Sequence, residues 1–183
     1  MADDEAATSS ENPLAAAGPK LTKDQGDFLM AAGLGKKGTM ESLLGSGSVD
    51  VNVKSSTKGM TALMAATGGG HKDCVAALLE KNADCTVTTS GDQLTKGMVA
   101  LHFAADLESK DIAEMLVKAK PDTVNTVDED GNSPLHLAAY GGRKAVVELL
   151  LANSADKELK DSQGMTAKDA AEKQGHGDVA ALL

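Results

Sequence analysis

The chain has 183 residues and a formal net charge of −9, and only 2% of its residues are aromatic. A negatively charged surface repels phosphate backbones, so we expect no binding to nucleic acid. No run approaches the roughly 18 apolar residues of a transmembrane helix, so we also expect no insertion into a membrane.

An acidic N-terminal segment precedes any regular pattern. Residues 1–21 are rich in Asp, Glu, Ser and Ala, contain Pro13 and Pro19, and show no sustained apolar period, so we predict a flexible acidic arm. Secretory and organellar leaders are basic instead. The two cysteines, Cys74 and Cys85, have no metal-ligand spacing and indicate no disulfide framework. We therefore expect a cytoplasmic protein, with the nucleus as an alternative, in which Cys74 is a core residue and Cys85 is more exposed.

Ordered structure is predicted to begin near Thr22. Thr22 and Gln25 have the spacing of a helix capping box, in which two side chains satisfy free backbone N–H groups. Phe28 and Ala32 follow at helical spacing, and a second apolar stripe begins at Met40. The sequence therefore predicts a pair of helices at the start of the ordered region.

A similar unit then recurs along the chain. Residues 131–156 (GNSPLHLAAYGGRKAVVELLLANSAD) are one complete copy, in which a short helix, a turn and a longer apolar helix follow an opening glycine. The opening glycines Gly59, Gly97, Gly131 and Gly164 are separated by 38, 34 and 33 residues. The chain resembles the ankyrin repeat family, whose units are roughly 33 residues long.

The resemblance implies an all-α solenoid of about five stacked helix-turn-helix units, connected by hairpin fingers. It covers residues 22–183 as one ankyrin repeat domain, with units 1 to 5 at about 22–55, 56–93, 94–127, 128–160 and 161–183. Thr61, Ser133 and Thr166 are predicted to cap the first helix of their units. Pairs of small residues, including Ala65 with Ala66 and Ala138 with Ala139, are predicted to let these helices stack closely.

Unit 3 departs from the family pattern at its start. Val99 stands where a capping Thr is expected, and an insertion of about five residues lies within residues 87–96. A Ser or Thr cap contributes about 1 kcal/mol to helix stability. We therefore predict the weakest helix start at Val99 and the most mobile finger just before it.

The residues that could carry chemistry have structural explanations. His102 and His136 occupy the family's Thr-Pro-Leu-His position, where the ring bonds neighbouring backbone and hydroxyl groups, and no two histidines share a metal-ligand spacing with Cys or a carboxylate. Residues 33–39 (GLGKKGT) lack the Gly-Lys-Ser/Thr ending of a phosphate-binding loop and follow no strand, so we interpret them as a turn. We predict no catalytic residue, no metal site and no cofactor.

Three methionines are not explained by the fold as directly as the histidines are. Met60, Met98 and Met165 each follow an opening glycine, so stacking would align them along one edge of the concave face, where fingers and first helices meet. In the family, this position, the fingertip before it and the end of the first helix contact ligands. Carried over, the predicted protein-binding residues are Lys58, Met60, Lys96, Met98, Asp106, Leu107, Glu129, Asp130, Asn132, Tyr140, Gln163, Met165 and Lys173. The alternatives are that the methionines only pack between fingers, and that the acidic residues 128–130 form only a solvated turn.

The predicted function is protein-protein interaction without catalysis. The resemblance implies an adaptor, scaffold or assembly factor that binds another protein through the concave face and is monomeric alone. Two alternatives remain open: a stoichiometric inhibitor or regulator of an enzyme, and a targeting chaperone that shields hydrophobic segments of client proteins. The partner's identity does not follow from the fold.

Overall fold

The computed structural model describes residues 20–90 and 95–183, so residues 1–19 of the predicted arm and residues 91–94 of the insertion lie outside the described residues. Within the described part of the chain there are ten α-helices and no β-strand, which confirms the predicted all-α solenoid. The helices follow one another in five pairs, one pair to each unit.

Each unit contributes one helix to each of two layers. The first helices are α1 (Lys23–Gly33), α3 (Ala62–Gly68), α5 (Ala100–Asp106), α7 (Pro134–Tyr140) and α9 (Ala167–Gln174). The second helices are α2 (Lys37–Gly45), α4 (Lys72–Glu80), α6 (Lys110–Ala119), α8 (Lys144–Ala152) and α10 (Gly177–Ala180), and a short 3₁₀ helix, Pro121–Asn125, follows α6. Helices of one layer pack against their neighbours in that layer and against the other helix of their own unit. The hydrophobic core therefore runs continuously between the two layers.

Hydroxyl caps start four of the first helices. Each capping oxygen accepts a hydrogen bond of 3.3–3.4 Å from the backbone N–H three residues later, and the capping residues are Thr22, Thr61, Ser133 and Thr166. Val99 makes no side-chain cap, as expected. At the start of α5 the Val99 N–H donates to His102 Nδ1 at 3.1 Å, and the His102 N–H donates to the Val99 carbonyl at 3.0 Å. The caps predicted from the sequence are confirmed.

The first helices stack through small residues, including the predicted pair Ala65 and Ala66. A Cβ on Gly33 of α1 would lie 3.6 Å from the Ala65 Cβ of α3, and Ala66 is fully buried. Ala138 and Ala139 lie five and six residues after the cap Ser133 and are both fully buried. The same count from Thr61 leads to Ala66 and Thr67, both 0% exposed, whereas Ala65 is only half-buried. Unit 2 therefore has a threonine where units 3 and 4 have a second alanine.

Both cysteines lie in the core. Cys74 is 1% exposed and Cys85 is 6% exposed, so Cys85 is the more exposed of the two but is still buried. Cys85 lies at the base of the finger that leaves α4, where its Sγ contacts the Ala83 carbonyl oxygen. Burial raises the pKa of both thiols, which keeps them protonated and unreactive.

Candidate protein-binding surface

The same two hydrogen bonds close four of the fingers. In each, a side-chain oxygen accepts from the backbone N–H of the residue that follows the opening glycine. The pairs are Ser55 with Met60 (3.0 Å), Thr89 with Met98 (3.0 Å), Asp128 with Asn132 (2.8 Å) and Asp161 with Met165 (2.9 Å). The N–H of the first residue in each pair donates back to the carbonyl of the second at 2.8–3.0 Å. These two hydrogen bonds therefore fix the backbone of the residue after each glycine.

These anchors explain how unit 3 accommodates its insertion. Three residues separate Asp161 from Met165, but eight separate Thr89 from Met98. The hydrogen bonds of Thr89 to Met98 are nevertheless like those of the shorter fingers. The backbone of Met98 is therefore held in the same way as in the shorter fingers, despite the insertion.

Neighbouring fingers are joined by backbone hydrogen bonds. The N–H groups of Ser90, Glu129 and Ser162 donate to the carbonyls of Lys58, Lys96 and Asp130 in the preceding finger, at 3.2, 3.2 and 2.7 Å. The opening glycines Gly59, Gly97 and Gly131 lie against these contacts, whereas a Cβ on Gly164 would meet no atom within 4 Å. A Cβ on Gly97 would be 2.9 Å from the Glu129 nitrogen, and φ at Gly97 is +80°. Only glycine fits at that point without strain, so the spacing between fingers depends on it.

Two histidines connect neighbouring units, as their sequence position predicts. His102 Nδ1 accepts from the Val99 N–H, so Nε2 carries the proton and donates to the Asn132 carbonyl at 3.0 Å. His136 bonds the Ser133 hydroxyl and the Met165 carbonyl in the same way, at 2.8 and 3.2 Å. Burial lowers the pKa of His102. Both rings therefore act in the fold, and the described residues contain no group of three or more His, Cys, Asp or Glu suited to a metal ion.

Five of the thirteen predicted binding residues meet in one open groove between units 4 and 5, which we call the 4/5 groove. Its volume is about 400 Å³, and it is lined by Asn132, His136, Leu137, Tyr140, Asp161, Gln163, Met165, Ala170, Lys173 and Gln174. Tyr140 ends α7 and is 56% exposed, whereas Met165 is half-buried at the base of its finger. Three separate elements therefore bring an aromatic, a thioether and a cationic side chain to one surface.

The other eight predicted residues lie outside the 4/5 groove. Met60 and Met98 are half-buried in the fingers of units 2 and 3, Leu107 is half-buried after α5, and the exposed residues are Lys58, Lys96, Asp106, Glu129 and Asp130. The Lys96 and Glu129 side chains form an ion pair with each other at 3.0 Å, across two neighbouring fingers.

Asn132 lines the 4/5 groove, but its side chain is held elsewhere. Its amide nitrogen donates to both carboxylate oxygens of Asp128, at 3.3 and 3.2 Å. Asp128 is 8% exposed and also accepts from the backbone N–H groups of Asp130 and Asn132. The Asp128 carboxylate therefore closes its own finger.

Sequence reasoning missed two residues of the groove floor, Leu137 and Ala170. Each lies three residues before a predicted binding residue on the same helix, Leu137 before Tyr140 and Ala170 before Lys173. Side chains three apart on a helix share one face. Extending the predicted set by one helical turn would have found both.

Comparison with known proteins agrees with this architecture. A family model described as ankyrin repeats (3 copies) matches residues 28–126 and 101–183. The chain belongs to the ankyrin repeat family. Ankyrin repeats are non-catalytic modules of protein-protein interaction. Among the described residues, no helix combines the length and the apolar character that crossing a bilayer requires.

The relatives are much longer proteins. Over 131 residues the chain is 36% identical to Protein glp-1 of Caenorhabditis elegans, covering 68% of this chain and 10% of that protein. It is 34% identical over 113 residues to Ankyrin repeat and SOCS box protein 16 of Mus musculus, covering 62% and 24%. It is 38% identical over 76 residues to Protein phosphatase 1 regulatory subunit 12A of Mus musculus, covering 42% and 7%. The matched region is therefore less than a quarter of each relative.

Proposed function

We propose that this array is an adaptor or scaffold, without catalytic activity, that binds a partner protein through its concave face, with the 4/5 groove at the centre. The observation that carries the proposal is the meeting of Tyr140, Met165 and Lys173 in one open groove. Tyrosine and methionine are enriched in protein interfaces, because each buries a large apolar area on contact.

The groove is preorganised by the hydrogen bonds that build the fold. Ser133 caps the helix that carries Tyr140, Thr166 caps the helix that carries Lys173, and Asp161 anchors the backbone of Met165. Binding to such a surface loses little conformational entropy. This supports a role in docking, for which a stable surface is an advantage.

The test is affinity capture from the native source with the full chain and matched variants. Tyr140→Ala is expected to weaken binding of the captured partner roughly tenfold, because a central aromatic side chain commonly contributes at least 1–2 kcal/mol. Its melting temperature should stay close to that of the parent, since Tyr140 is 56% exposed. Glu148→Ala, an exposed change on α8, is the control and should bind as the parent does. A partner that binds Tyr140→Ala and Lys173→Glu with the parent affinity would place the interface elsewhere.

Regulation of an enzyme is the second candidate, and one relative favours it. The match to Protein phosphatase 1 regulatory subunit 12A covers 42% of this chain. If the captured partner is an enzyme, titration with the array should change its rate up to a stoichiometric end point. A rate that stays constant while the two proteins remain bound would support the scaffold role.

Two further properties remain predictions. A monomeric state alone is checked by light scattering during gel filtration. A cytoplasmic location is checked by imaging the tagged full chain in the native cell. Reduced thiols would persist there, and Cys74 and Cys85 are both free.

A further inference from the structure

We infer that the 4/5 groove binds an extended peptide segment of the partner, with an apolar side chain on the groove floor and a carboxylate against Lys173. This inference rests on the proposed function and adds the chemistry of the ligand. The groove volume of about 400 Å³ lies within the roughly 300–1,000 Å³ typical of sites for small ligands. A short segment fits this space better than a broad folded surface.

The floor is apolar and has an aromatic side. Leu137 and Met165 are half-buried, Ala170 is 6% exposed, and the Tyr140 ring stands beside them with 56% of its surface exposed. Among these side chains, only the Tyr140 hydroxyl requires a hydrogen bond. The floor therefore favours an aliphatic or aromatic side chain of the ligand.

Several polar groups of the lining are already occupied by the fold. Both His136 ring nitrogens are hydrogen bonded, and the Asn132 amide is held by Asp128. One oxygen of Asp161 accepts from the backbone N–H groups of Gln163 and Met165, at 2.8 and 2.9 Å. The His136 ring and the Asn132 amide therefore gain little from a ligand, and Oδ1 of Asp161 is already bonded within its own finger.

The lining groups that remain available define the polar part of the ligand. Within residues 20–90 and 95–183, four lining side chains make no hydrogen bond or ion pair: Lys173, Gln163, Gln174 and Tyr140. Lys173 is thus an exposed cation whose complement is a carboxylate. Lysine acts in such a pair as a compact point charge with three donors.

The two glutamines favour an extended ligand backbone. Gln163 lies in the fingertip and Gln174 at the end of α9, so they approach the groove from different elements. Each carboxamide offers one acceptor and a donor group, which match the C=O and N–H of a peptide unit. A helix uses these groups internally, whereas an extended segment leaves them free.

The experiment selects a phage-displayed library of short random peptides on the immobilised full chain and on Lys173→Glu. Peptides selected on the parent should share a large apolar residue with Asp or Glu close to it. Selection on Lys173→Glu should replace that acid with Lys or Arg. Lys168→Glu is the matched control, because Lys168 is exposed on the same helix but does not line the groove. It should select the same peptides as the parent.

Fluorescence polarisation then measures binding of the best peptide. Lys173→Glu should weaken it by up to roughly fivefold, since an exposed ion pair contributes up to about 1 kcal/mol. Exchanging the peptide's acid for lysine should restore affinity for that variant. Circular dichroism melts confirm that the variants fold. Two results would overturn the inference: selected peptides without acidic enrichment, or a peptide affinity that neither Lys173→Glu nor Tyr140→Ala changes.

The two proposals can fail separately. A native partner that needs Tyr140, together with a selection that yields no groove-binding peptide, would leave the proposed function standing and exclude the peptide ligand. A native partner that is indifferent to Tyr140 and Lys173 would overturn both.

Discussion

Replacing Thr67 with valine is expected to stabilise the array, because the Thr67 hydroxyl is buried without a hydrogen-bond partner. Thr67 lies in α3 with 0% of its surface exposed, and its Oγ1 has no partner within the described part of the chain. Counted from the capping position, Ala105 and Ala139 occupy the equivalent sites of units 3 and 4 and are both 0% exposed. The surroundings of this site in the fold are therefore apolar.

The magnitude follows from the lost hydroxyl and the gained methyl group. A buried polar group without a partner costs about 1–3 kcal/mol. A buried methyl group contributes about 0.8 kcal/mol, and part of this gain is lost if the site is too tight for it. Both residues are β-branched, so their helix preferences nearly cancel. We expect Thr67→Val to raise the free energy of unfolding by about 1–3 kcal/mol.

The assay is urea unfolding followed by circular dichroism, with Thr61→Val as a matched control in the same unit. Thr61 is 1% exposed, but its hydroxyl accepts from the Met64 N–H at 3.3 Å. Loss of this cap should lower the free energy of unfolding by about 1 kcal/mol. The same substitution is thus expected to have opposite signs at two positions six residues apart. Equal destabilisation by both would show that the Thr67 hydroxyl has a partner, and the reasoning would be refuted.

Three further outcomes are expected. Val99→Thr should supply the missing cap of α5 and raise the urea midpoint by the equivalent of about 1 kcal/mol; an unchanged midpoint would mean that His102 already satisfies this helix start. Burial lowers the pKa of His102, so the unfolded chain takes up a proton first and stability should fall as the pH drops below about 6.5, the ordinary histidine value. A His102→Gln variant should lose part of that pH dependence in the same urea titration. Amide exchange, followed by mass spectrometry, should be fastest in residues 87–99, except at the hydrogen-bonded N–H groups of Thr89, Ser90, Gly97, Met98 and Val99. Uniform protection of this segment would contradict the mobile finger.

The sequence predicted best those features that depend on residue type at a fixed distance from a glycine. The caps at Thr61, Ser133 and Thr166 could be predicted because a capping oxygen needs only a neighbouring N–H. The finger anchors Ser55 and Thr89 could not, because three, four or eight residues separate an anchor from its partner. No fixed spacing identifies them, and Ser, Thr and Asp all supply a suitable oxygen.

The binding surface was predictable in part for the same reason. Tyr140 and Lys173 occupy equivalent positions near the ends of α7 and α9. Their position in the repeat was therefore enough to predict that they lie on the same surface. Asn132 occupies the same position in its unit as Met165, but its side chain is held by Asp128. That contact depends on the direction of the side chain, which the position in the repeat does not predict. The burial of Cys85 likewise depends on how the finger folds back.

The residue after each opening glycine shows why this surface can vary without loss of the fold. Met60, Met98, Asn132 and Met165 all give their backbone N–H and carbonyl to the finger anchor, and the carbonyls of Asn132 and Met165 also receive a histidine Nε2–H. At Met98 and Met165 the fold therefore depends on the backbone, whereas the Asn132 side chain also bonds Asp128 and the Met60 side chain packs against the core. A change at Met165 should accordingly alter binding more than stability. Asp161→Ala removes the anchor oxygen and should alter both.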